Sequence, residues 1–122
     1  MKQELQERFI RYAKVETRSD EDSLTIPSSE GQLVLGKLLA QDLEDIGMKD
    51  VHIEASGNVI ATLPSNIDKK VKTIGFIAHM DTADFNAHNV NPQVHENYDG
   101  GDIALNPETV LSPRDFPNLA NS

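Results

Sequence analysis

The chain has 122 residues, with 11 Lys and Arg against 20 Asp and Glu for a formal charge of −9, and it contains neither Cys nor Trp. That length admits one domain at most, the missing cysteines exclude a disulfide scaffold and any thiolate metal site, and the acidic balance argues against nucleic acid, whose phosphates need clustered Lys and Arg. No apolar run approaches the roughly 18–20 residues that cross a bilayer, and the N-terminus lacks the apolar segment of a secretory signal, so a soluble, cytoplasmic chain with no membrane partner is expected.

Leu5, Phe9, Tyr12 and Ala13 recur at i, i+4, i+7 and i+8 and predict an amphipathic helix over roughly residues 2–16, with Glu4–Arg8 and Glu7–Arg11 as supporting pairs. Arg18 to Pro27 reads as a polar loop, and its acidic cluster Asp20-Glu21-Asp22 as a hydrated surface. A second helix is predicted from Ser29, whose spacing to Gln32 is that of a capping box. Its apolar stripe is Leu35, Leu38, Leu39, Leu43 and Ile46, and Gly47 is its stop.

Beyond Gly47 the period changes from 3.6 to 2. Val51 and Ile53 alternate with polar neighbours, Ser56-Gly57-Asn58 is turn chemistry, and Val59, Ala61 and Leu63 share one face before Pro64. These segments predict an antiparallel hairpin, with His52 on its solvated side. The continuous apolar run Ile74-Gly75-Phe76-Ile77-Ala78 has the pattern of a strand covered on both faces. Residues 83–122 carry one basic residue, Arg114, against six acids, and few apolar side chains. Two segments follow: a compact α/β part over 1–82 and a loop-rich extension over 83–122. The fold class is α/β, two helices packed on a mixed sheet, and the layer looks unfinished, as the opening portion of a longer protein would.

The apolar run leads directly into His79-Met80-Asp81-Thr82. Ligand sites gather beyond the carboxyl ends of strands in open α/β sheets. A neutral imidazole suits zinc. Side chains two apart in extended chain share a face, so Asp81 is placed to accept from the second ring nitrogen and fix the tautomer. A His-x-Asp triplet is also common by chance, and one imidazole falls far short of the roughly four ligands zinc takes. His88 and His95 lie in the acidic loops, where adjacent His95 and Glu96 point apart. Asp84 either faces a cleft or caps a turn, and Gly100-Gly101 suits a tight turn.

Phe76-Ile77-Ala78-His79-Met80-Asp81-Thr82 resembles the first metal-site block of the di-zinc metallopeptidases. Ile26 to Gln32 resembles that family's segment before its second helix, and Gly57 to Pro64 its hairpin. Asn89 to Gln93, with Glu96 to Ile103, resembles a stretch found in its tripeptide-cleaving members, and Val110-Leu111-Ser112-Pro113 fits as well. The resemblance runs through essentially the whole chain. It implies the N-terminal portion of a di-zinc aminopeptidase-like catalytic domain that releases the N-terminal residue of tripeptides in peptide catabolism. His79 would be a metal ligand, Asp81 the catalytic-site carboxylate that orients it, and two Zn²⁺ ions the cofactor of the full-length enzyme. The family's bridging Asp, Glu-Glu pair, further Asp and distant His have no counterpart here, so these 122 residues are expected to be inactive alone. A homodimer in full length is a further implication. Two alternatives stand beside it: a non-catalytic binding module derived from such a peptidase, and a related di-zinc carboxypeptidase or deacylase.

Overall fold

The computed structural model of the chain describes residues 1–121. They fall into two compact units, Met1–Val90 and the residues from Asn91 on. In the first, helix α1 (Lys2–Ala13) and helix α2 (Glu30–Asp45) precede strands β1 (Lys49–Ile53) and β2 (Val59–Thr62). In the second, strands β3 (Ile103–Asn106) and β4 (Thr109–Leu111) are followed by a short 3-10 helix at Pro117–Asn121. The class is α/β. Where the sequence predicts one mixed sheet, the strands form two separate antiparallel pairs, and among the described residues parallel pairing is confined to a bridge between Arg18 and Thr82.

Helix α2 is the frame of the first unit. It starts after Ser29 and stops at Ile46, with Gly47 in the left-handed region at φ +88°, where a Cβ would be strained. The capping box does not form. The Gln32 side chain, which would reach back to the Ser29 amide, bonds the Thr17 carbonyl at 3.4 Å and Ser28 Oγ at 3.1 Å, and the Gln32 N–H donates to the Ser29 carbonyl at 3.3 Å, so Ser29 Oγ is enclosed without a hydrogen-bond partner among the described residues. Leu35 is buried, Leu38, Leu39 and Leu43 are half-buried, and Ile46 is exposed. The stripe packs on both strands of the β1–β2 hairpin.

That hairpin closes as its turn residues require. Glu54 N–H donates to the Asn58 carbonyl and Gly57 N–H to the Glu54 carbonyl, both at 2.9 Å. Gly57 adopts φ +89°, and the Pro27 ring lies 3.1 Å from where a Cβ would sit. Val51, Val59 and Ala61 are half-buried, whereas Leu63 is exposed and His52 faces solvent.

Helix α1 is three residues shorter than the periodicity predicts, and it presents a different face. Leu5 and Phe9 are exposed, and contact with α2 runs through polar groups. Asp42 accepts hydrogen bonds from both the Arg11 guanidinium and the Tyr12 hydroxyl, so Arg11 is engaged across the helices rather than with Glu7. Partial burial pushes the Asp42 carboxyl up, but the bonds from Tyr12 and Arg11 outweigh it and the group titrates below its ordinary value. Burial, followed by the bond to Asp42, pushes the Tyr12 phenol up.

Residues 74–78 form no strand. Phe76 is 95% and Ile77 101% exposed. A doubly covered strand needs a ladder partner and a layer on each face, and β1 and β2 pair only with each other. Within the loop-rich stretch that follows, β3 and β4 make a hairpin across Pro107-Glu108, where Glu108 N–H donates to Asn106 Oδ1 at 2.9 Å. Buried Ser112 ties its base, donating to Asp102 Oδ1 at 2.6 Å.

Among the glycines, Gly31 leaves the least room for a side chain. A Cβ there would lie 1.6 Å from the Glu16 carbonyl oxygen. Gly31→Ala is therefore expected to cost about 2–3 kcal/mol, as overpacking against backbone does, and to speed hydrogen exchange at the Thr82 amide. A lowered urea midpoint, with that amide as the local probe, checks it. The Asp42 lock has a pH signature as well. Its carboxyl is depressed in the folded chain, so its contribution is complete above the ordinary carboxylate value of about 3.9 and is lost as pH falls through the lowered one. Acidification is expected to lower the amide protection factors of Lys2–Ala13 before those of β1–β2, and Asp42→Asn to lower them at neutral pH.

Candidate functional site

Two segments distant in sequence run side by side. Thr82 N–H donates to the Thr17 carbonyl at 3.1 Å and Ser19 N–H to the Thr82 carbonyl at 3.0 Å, the two bonds of one parallel bridge. Thr17 is 2% exposed. Its carbonyl also accepts from Gln32 on α2, so the bridge is anchored to the helix frame. Gly31 leaves room for this, because a side chain there would occupy the position of the Glu16 carbonyl.

On this platform the side chains of 79–88 meet those of 16–19. His79 Nδ1 lies 2.9 Å from the Asp81 carbonyl oxygen and 3.0 Å from Asp81 Oδ1. A carbonyl and an ionised carboxylate only accept, so Nδ1 carries the proton and the Nε2 lone pair is the one left to bind. The imidazole is 84% exposed. The second carboxylate oxygen, Asp81 Oδ2, accepts from Ser19 Oγ at 2.5 Å. That bond first, then the one from His79 and one from its own backbone amide, holds the Asp81 carboxyl below its ordinary value against the opposing effect of desolvation. The sign is that of a depressed acid: these interactions contribute above the ordinary carboxylate value and fade as pH falls through the lowered one.

The flanking contacts extend the same seam. Arg18 Nε donates to Asp84 Oδ1 at 2.6 Å, and His88 Nδ1 pairs with Glu16 Oε2 at 2.8 Å. Asp84 is thus a partner for Arg18. His52 bonds its own strand, at 2.8 Å from the Asp50 carbonyl, and His95 is exposed. Asp20, Glu21 and Asp22 are exposed. Sequence reasoning missed Ser19, Arg18 and Glu16, all assigned to helix end or polar loop. No local pattern marks them, since their partners lie more than sixty residues away.

The donor set suits one position of a zinc site. A neutral imidazole with a free Nε2 and a carboxylate on Nδ1–H is the arrangement that zinc-binding histidines use. Among the described residues no group of three or more His, Cys, Asp or Glu converges as a metal cage. A shallow depression lined by Val15, Glu16, Arg18, Ser29, Glu30, Gly31 and Val34 includes neither His79 nor Asp81.

No family model matches the chain. Individual proteins do. It is 57% identical over 124 residues to peptidase T of Geobacillus thermodenitrificans and 60% identical over 124 residues to that of Geobacillus kaustophilus, in each case across 99% of this chain. Peptidase T of Fusobacterium nucleatum is 57% identical over 119 residues, across 96% of this chain. The chain spans about 30% of the length of these relatives. Along practically all of its own residues, the chain resembles peptidase T.

Proposed function

We propose that this chain carries one metal-binding corner of a zinc-dependent aminopeptidase that removes the N-terminal residue from tripeptides, and that it is inactive without the remaining ligands. The observation that supports it is the His79–Asp81 pair, with Nδ1–H held by the carboxyl group and Nε2 turned free, in a chain 57–60% identical to the Geobacillus peptidases T.

In this reading His79 holds zinc through Nε2, and Lewis acidity is the chemistry zinc supplies there when bound. Asp81 keeps the proton on Nδ1, which fixes the ring's direction and raises the basicity of the opposite nitrogen. Since zinc takes about four ligands, the other ligands and the general base come from residues other than these 122. Peptide substrates, a cytoplasmic setting and pairing of two full-length copies belong to the same proposal.

The test is a chimera in which these residues replace their counterpart in the Geobacillus kaustophilus protein. The chimera is expected to hydrolyse a trialanine substrate in a chelator-sensitive manner, His79→Ala to abolish turnover, and Asp81→Asn to weaken zinc binding about 10–100-fold. The 122-residue chain alone is expected to leave trialanine intact and to bind zinc no tighter than micromolar. Chelator-sensitive turnover by the chain alone, or a chimera indifferent to His79→Ala, would overturn the proposal.

A further inference from the structure

We infer that Ser19 is a positioning residue: it fixes the Asp81 carboxylate so that His79 keeps its proton on Nδ1 and its Nε2 lone pair available. This deepens the reading of the site proposed above and rests on it for its functional meaning, though the geometry stands independently.

The carboxylate's two oxygens have separate tasks. Oδ1 lies 3.0 Å from His79 Nδ1 and Oδ2 lies 2.5 Å from Ser19 Oγ. The terminal torsion of an aspartate is broad and roughly two-fold, so one hydrogen bond alone leaves the plane free to turn. Asp81 is also 41% exposed, and water competes for any oxygen that is not held. Ser19 is suited to hold it because its backbone is pinned on the same bridge: its N–H donates to the Thr82 carbonyl at 3.0 Å, next to Asp81, while the Thr82 N–H returns to Thr17 at 3.1 Å. The hydroxyl therefore starts from a point fixed relative to the carboxylate it grips.

His79 is surrounded by few alternatives. Its ring nitrogen Nδ1 bonds only within residue 81, and the ring is largely in solvent. Once the carboxylate swings away, the Asp81 carbonyl at 2.9 Å is the acceptor left to Nδ1, so losing Ser19 shifts the tautomer balance in part rather than wholly. The nearby pairs Arg18–Asp84 and Glu16–His88 hold backbone on either side but do not touch the carboxylate.

The test is ring nitrogen NMR on the ¹⁵N-histidine-labelled chain, at an alkaline pH where the ring nitrogen signals no longer move with pH. The parent is expected to show a protonated Nδ1 and an unprotonated Nε2. In Ser19→Ala both nitrogens are expected to shift toward the averaged values of a tautomer mixture, and Ser19→Thr, which keeps the hydroxyl, to return them to the parent positions. The Thr82 amide is the fold control, because its bond goes to the Thr17 backbone. Should Ser19→Ala lose Thr82 protection, Ser19→Cys, similar in shape but a weak donor, gives the same readout. In the chimera, Ser19→Ala is expected to weaken zinc binding by less than the roughly 10–100-fold anticipated for losing the orienting carboxylate itself. Unchanged His79 nitrogens in a variant with Thr82 still protected would overturn the inference. So would failure of Ser19→Thr to restore them. A Ser19-dependent tautomer in a chimera that ignores His79→Ala would sink the peptidase reading while leaving the positioning role intact.

Discussion

The Thr17 carbonyl is the atom on which the first unit's polar architecture converges. It accepts from the Thr82 amide and from the Gln32 side chain, joining the segment after α1, the first turn of α2 and the His79 region at one buried point. Each such bond contributes only about 0.5–1.5 kcal/mol net. Their importance lies in what an unmade one costs, because a buried carbonyl stripped of its donors loses solvation that nothing replaces. Gly31 admits the arrangement by lacking a side chain, and the convergence then decides where Ser19, Asp81 and His79 stand.

The first unit relies on directional contacts to an unusual extent. Leu35 is the buried hydrophobic residue among those described, while Phe76, Ile77 and Phe85 are largely in solvent. Exposed ion pairs such as Arg18–Asp84 add little individually. Hydrogen bonds fix orientation better than they fix depth, which suits a site whose one clear feature is the direction of an imidazole. The same balance leaves the helices with little apolar cover. Helix α1 meets α2 through a shared carboxylate and shows Leu5 and Phe9 to water.

What the sequence disclosed tracks how local each determinant is. The C-terminal end of α2 is readable because Gly47 acts on its own backbone, and the β1–β2 turn because Ser56-Gly57-Asn58 closes within five residues. His79 and Asp81 were readable as a pair because extended chain puts alternate side chains on one face. The capping box fails on both halves, since the Gln32 side chain bonds an acceptor fifteen residues upstream and the Gln32 amide takes the Ser29 carbonyl rather than its hydroxyl. The strand over 74–78 failed because apolar composition states what a segment would bury, not whether a ladder is present to receive it. The β3–β4 hairpin escaped notice because its strands are three or four residues long and its turn uses an Asn side chain rather than glycine. Ser19 was out of reach, its partner 62 residues away.

The excursion from Asp20 to Ser28 shows what the anchoring allows. Its neck is drawn shut where Asp20 N–H donates to Ser28 Oγ at 3.1 Å, and Pro27 is wedged against Gly57. Its apex, around fully exposed Leu24, touches solvent. A loop closed at its base transmits little from its tip. Insertions, epitope tags or a protease nick between Glu21 and Leu24 can therefore accumulate without turning the histidine ring, and that apex is where such chains are freest to drift apart.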